Sequence, residues 1–104
     1  MPSSKYTVRL LSIAEQDLVD LVSYLVAENS RAAAEVLDHI EARLEALQSH
    51  PFVGRVPHNP KLTALGYRVL VIDNYLVFYK VKGNAVLVYR ILHRARDLLR
   101  VLSE

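Results

Sequence analysis

Between Tyr67 and Asp97 the chain runs through three short stretches of β-branched, aromatic and leucine residues, parted by Asp73-Asn74 and by Lys82-Gly83-Asn84. Asn, Asp and Gly tolerate the positive φ that tight hairpins demand, so these pairs read as turns. Three strands joined by two hairpins follow. The last strand leads into a basic knot, Arg90, His93, Arg94 and Arg96. A meander of this kind must cover at least one apolar face with something else, and the first half of the chain supplies it.

Tyr6 to Leu11 alternates modestly and reads as a further strand. Ser12 and Glu15 have the spacing of a capping box before a helix whose apolar stripe is Leu18, Leu21, Val22, Leu25 and Val26. Asn29-Ser30 interrupts the period, with Ser30 as the expected cap of a second helix. Val36, Leu37, Ile40, Leu44 and Leu47 form its buried stripe, and Pro51 bars its extension. Residues 50–66, with three prolines and two glycines, read as a loop without a regular element. A loop of this length is expected to be functional or mobile. Leu98 to Leu102 is a candidate terminal helix. The order β-α-α-β-β-β predicts an α+β fold, a helical hairpin packed on a mainly antiparallel sheet, with residues 1–104 as one domain.

The chain has 104 residues and no cysteine, which excludes disulfides and thiolate metal sites. At this length a chain buries roughly 65% of its unfolded surface, enough for a core without staples. No stretch approaches the ~18 apolar residues of a membrane helix, and nothing near the N-terminus resembles a signal peptide. A cytoplasmic protein is expected. Charge is uneven: residues 1–50 hold four Lys/Arg against eight Asp/Glu, and residues 51–104 hold nine against three. A basic second half points to an anionic partner, nucleic acid or an acidic protein segment.

Candidate anion- and partner-binding residues are Arg55, Arg68, Arg90, His93, Arg94 and Arg96, since guanidinium groups match phosphate and carboxylate geometry. His93 could move a proton near neutrality. The histidines show no ligand spacing and there is no phosphate loop or nucleophile elbow, so neither metal nor cofactor is expected. Two arrangements of the sheet remain open. A two-residue turn at Asp73-Asn74 puts Arg68, Leu70 and Ile72 on the face of Tyr75, Val77 and Tyr79. The opposite face, Tyr67, Val69, Val71, Leu76 and Phe78, is then the more apolar and is expected to meet the helices. An extra loop residue or a bulge would instead turn Leu76 and Phe78 outward with Arg68.

The element order, together with Pro51-Phe52-Val53-Gly54-Arg55, Tyr67-Arg68-Val69-Leu70, Asn74-Tyr75-Leu76-Val77-Phe78-Tyr79 and Ile91-Leu92-His93-Arg94-Ala95-Arg96-Asp97, resembles the RelE/ParE superfamily of type II toxin–antitoxin toxins. The resemblance implies a toxin neutralised by a cognate antitoxin in a hetero-oligomer. An apolar antitoxin helix on the sheet and a strand added to its edge would be the physical means. RelE-like members cleave messenger RNA on the ribosome with several basic residues on the sheet. ParE-like members are growth inhibitors, and characterised examples poison DNA gyrase. Arg68 matches a functional Lys of the RelE pattern, but Leu70 and Leu76 stand where further cations belong. The ending around His93, Arg94 and Asp97 looks more like ParE. A ParE-like inhibitor is therefore favoured, with Leu76 and Phe78 as partner contacts if they face outward. A ribosome-dependent nuclease using Arg68, His93 and Arg94, or a detoxified relic that only binds antitoxin, are the alternatives.

Overall fold

The computed structural model describes residues 5–95 and Asp97. The candidate terminal helix at Leu98–Leu102 and the candidate site residue Arg96 lie outside them. The elements are β1 (Thr7–Leu10), α1 (Ser12–Glu28), α2 (Ser30–Ala46), a short α3 (Pro60–Ala64), β2 (Arg68–Ile72), β3 (Tyr75–Lys82) and β4 (Ala85–His93). This is the expected α+β order, with the sheet arranged β1-β4-β3-β2.

Both hairpins form as their turn residues dictate. Ile72 pairs with Tyr75 around Asp73-Asn74, and Lys82 pairs with Ala85 around Gly83-Asn84. The first turn residue has positive φ in each case, 54° at Asp73 and 59° at Gly83. Asp73 takes a conformation that glycine adopts more readily. His39 of α2 meets its carboxylate at 2.8 Å, fastening the turn to the helix layer. β1 runs parallel to β4, pairing Thr7–Leu10 with Ala85–Val88. Only the two outer edges of the meander were open to it, and part of the β2 edge is taken by a bridge from Arg55 to Val69.

Where β1 ends, a carboxylate takes over from it. Asp17 of α1 accepts the Ile91 N–H at 2.9 Å and is clamped by Arg90 Nε and Nη2 at 2.8 and 3.1 Å. Between the two halves of β4 lies a bulge: Tyr79 pairs with Val88 but Phe78 with Arg90, leaving Tyr89 as the extra residue. The bulge lets Val86, Val88 and Ile91 all enter the core beneath the helices, although strict alternation would put Val88 and Ile91 on opposite faces.

The turn at Asp73-Asn74 has two residues, so the first sheet arrangement holds. The side facing the helices, however, is the reverse of the expectation. Leu70, Ile72, Tyr75, Val77 and Tyr79 pack with Ala14, Leu21, Ile40, Leu44 and Leu47, while Val69, Leu76, Phe78 and Leu92 form a separate cluster with Leu62, Tyr67 and Val71. Counting apolar residues misled because Arg68 and Tyr79 carry polar tips on the helix side. Those tips are satisfied beyond the core, by the backbone of residues 52–54. β1 and β4 also deliver Val8, Leu10, Val86 and Val88 to that side. Each fully buried aliphatic there contributes about 1.5–3 kcal/mol.

Four local expectations are corrected. Leu11, not Ser12, is the N-cap of α1, and no side chain caps it. Asn29 rather than Ser30 caps α2, accepting from the N–H groups of Arg31 and Ala32. The buried stripe of α1 turns toward Ala14 and Leu21, leaving Val26 about half exposed. Residues 50–66 do contain a regular element, α3, whose start is signalled by Asn59 as cap and Pro60 in the first turn.

Candidate partner-binding site

The loop before β2 is pinned rather than loose. Arg55 and Val69 exchange two backbone hydrogen bonds of 2.8 Å. Tyr79, wholly buried in the centre of the sheet, accepts a hydrogen bond from Gly54 N–H at 2.8 Å. Arg68 Nη1 donates to the carbonyls of Phe52 and Gly54 at 3.1 and 2.9 Å, its guanidinium 5.1 Å from the Phe52 ring centre. The clamp holds the loop against the sheet edge and sets the position of everything that follows it.

On the sheet face away from α1 and α2, the loop and α3 wall off a cleft of about 400 Å³. Val69, Leu76 and Phe78 line it together with Leu62, and Arg55, His58 and Arg94 also lie along it. Among the described residues, no acidic side chain lines it. The cleft continues over Arg55, Val69 and Arg94 into a second groove of about 420 Å³ beside the β2 edge, where Arg43 of α2 joins. Such a surface can hold an anionic group next to apolar ones. Among the described lining residues, the His58 imidazole is the one general acid–base group.

The candidate residues are distributed unevenly over this surface. Arg55 and Arg94 lie on the cleft, and Leu76 and Phe78 form its floor, on the face away from the helices but only 7% and 6% exposed. Arg68 is committed to the loop carbonyls and Arg90 to Asp17. His93 belongs to a different, smaller hollow against α1, with Asp17, Tyr24 and Asp97. Its ring lies edge-on to Tyr75, its Nδ1 accepts the Ala95 N–H at 3.2 Å, and its own backbone N–H donates to Asp97. Arg68, His93 and Arg94 therefore share neither hollow. His58 and Arg43 were not candidates from sequence. An isolated His in a proline-rich loop and an Arg on a helix carry no motif, and only the folded loop brings them beside Arg94.

Burial raises the Tyr79 hydroxyl pKa above its ordinary value of 10.0, partly offset by the Gly54 N–H bond and the Arg68 charge. Tyr67 is raised too, by burial and then by neighbouring Tyr89. A raised folded pKa means that the unfolded chain loses its phenolic protons first as pH climbs. Stability conferred by neutral Tyr79 and Tyr67 is thus fully present below about pH 10 and falls as pH rises from there through the folded values. Thermal melts between pH 8 and pH 12 should show this alkaline loss, and Tyr79→Phe should reduce its steepness. An unchanged slope would count against burial as the cause.

No helix among the described residues is long and apolar enough to cross a membrane. Comparison with known proteins agrees with the geometry. No curated protein matches the sequence. Among solved structures, a chain of the chromosomal ParDE TA system from P. aeruginosa superposes with a TM-score of 0.71 at 21% identity, covering 88% of this chain and 98% of that one. A chain of the RelBE2 toxin–antitoxin complex from Mycobacterium tuberculosis superposes with a TM-score of 0.61 at 25% identity, covering 86% and 99%. Residues 8–98 match the family described as ParE toxin of type II toxin-antitoxin system, parDE. Sequence and fold together place this chain in the ParE toxin family, within the RelE/ParE superfamily.

Proposed function

We propose that the protein is a ParE-like growth inhibitor that acts in the cytoplasm on DNA gyrase by binding, and that a cognate antitoxin neutralises it by covering the cleft face. One observation carries the preference for binding over cutting. The surface that would have to gather cations around a phosphate has Leu76 and Phe78 as its floor, and Arg68 and Arg90 are engaged elsewhere. Losing one preorganised donor at a reacting centre commonly costs about 10²–10³ in rate. An apolar floor beside arginines that have no ion-pair partner among the described residues suits a protein segment instead, because apolar side chains fill the cleft and carboxylates meet the rim. The two matched structures are, by their descriptions, a ParDE system and a RelBE2 toxin–antitoxin complex, which supports an antitoxin partner for this chain as well.

Expression of the chain alone, with growth, plasmid supercoiling and message integrity followed together, tests the reading. Growth arrest with loss of supercoiling and intact ribosome-bound message is expected. Message cleaved on the ribosome would establish the nuclease alternative, for which Arg55, His58 and Arg94 would be the residues to replace. Unimpeded growth with antitoxin binding retained would mark a detoxified binding module.

A further inference from the structure

The eight acidic residues of the first half all lie in α1 and α2, with two arginines against them. The rest of the chain carries eleven Lys/Arg against three Asp/Glu. Folding therefore builds an acidic helix layer on one side of the sheet and leaves a basic surface on the other. On α2, Asp38 and Glu45 are seven residues apart and exposed, turned away from buried Ile40 and Leu44. Exposed Glu35 and Glu41 flank them, and none of the four has an ion-pair partner among the described residues. Val19 and Val26 of α1, also seven apart, are 57% and 51% exposed.

The cleft on the far side of the sheet has the opposite character. Its floor is apolar, Arg55, His58 and Arg94 stand along it, and no acidic side chain lines it among the described residues. Neither Arg55 nor Arg94 has an ion-pair partner among those residues. Helix face and cleft lie on opposite sides of the sheet, so they cannot meet within one molecule. They can meet between two.

We infer that the chain self-associates head to tail, the acidic helix face of one copy seated on the cleft of the next. Asp38 and Glu45 of the first copy then meet Arg55 and Arg94 of the second, and the exposed valines of α1 leave water against it. Arg forks bind carboxylates with two parallel hydrogen bonds, and opposite fields steer the two faces together. The contact joins two different surfaces, so each pair keeps one open cleft and one open helix face. It grows as a chain of copies unless the rotation closes it into a ring. A copy whose cleft is filled in this way cannot use it for another partner. Access to the cleft thus falls as the protein's concentration rises, whatever else binds there. If the two charged faces served solubility alone, the copies would stay apart.

Sedimentation equilibrium of the full chain, purified alone, tests this at about 100 μM, enough to populate contacts of micromolar affinity. The mean mass should exceed that of the monomer at about 0.05 M salt and return to it at about 1 M, where the screening length is about 3 Å. Asp38→Ala combined with Glu45→Ala, exposed changes that favour a helix, should give a monomer at low salt. Arg55→Ala combined with Arg94→Ala should do the same. Mixed in equal amounts, the two variants should form pairs that grow no further, because one keeps the cleft and the other the helix face. A wild-type chain that stays monomeric at low salt would overturn the inference, as would helix-face variants that assemble like the wild type. Two variants that stay apart when mixed would exclude the head-to-tail contact. Assembly that nuclease dissolves would overturn it in favour of a bridging nucleic acid.

Discussion

Gly54→Ala is expected to destabilise the protein by about 2–3 kcal/mol through overpacking. A β-carbon at this position would lie 2.6 Å from the Tyr79 hydroxyl oxygen and 2.7 Å from its Cε1. Tyr79 cannot swing aside, because it is wholly buried between the strands and the helices. The alternative is for the loop to lift. Lifting costs the Gly54–Tyr79 bond, the two Arg68–carbonyl bonds and the Arg55–Val69 bridge in turn. For a chain of this size the loss corresponds to a fall in Tm of about 10–20 °C. A double-mutant cycle checks the cause. In a Tyr79→Leu background, where the ring is gone, the added methyl should cost under about 1 kcal/mol, since residues in contact do not behave additively. An undiminished penalty would show that the loop, not the ring, rejects the methyl.

Asp17→Ala is the second large effect, at about 2–3 kcal/mol. It removes the carboxylate that clamps Arg90 and leaves the Ile91 N–H on the edge of β4 without its acceptor. Asp17 and Arg90 are 13% and 27% exposed, so water softens the penalty below that of a fully buried pair. Asp17→Asn retains an oxygen for the Ile91 N–H and should cost about half as much. Denaturant unfolding of both variants measures this. A cost of both below about 0.5 kcal/mol, the usual value of an exposed pair, would reduce the clamp to surface decoration. The same clamp explains why Arg90, a cation in a strand, is engaged within the fold.

The strands and both hairpins were legible because their causes are local. Asp73-Asn74 and Gly83-Asn84 set the turns, and β-branched residues fill the strands between them. The helical hairpin was legible from its 3.6-residue period, but its caps were not. Leu11 starts α1 without a capping side chain, and Asn29 outcompetes Ser30 one residue away. Of the candidate site, the cations at Arg55 and Arg94 and the apolar pair Leu76 and Phe78 do meet on one cleft. Arg68 and His93 were plausible by residue type alone, and both find partners that composition does not reveal.

The sequence by itself determined that three strands follow two helices, that the second half is basic, and that the chain resembles this toxin superfamily. Only the tertiary structure decided which side of the sheet the helices cover and that Arg68 and Arg90 are engaged within the fold. That choice depends on whether polar tips find partners far along the chain. Arg68 meets carbonyls 14 and 16 residues away, and Arg90 meets a carboxylate 73 residues away. A turn is the property of two residues. The fate of an arginine is settled by the whole fold, because burial is tolerable only where a distant acceptor is already in place.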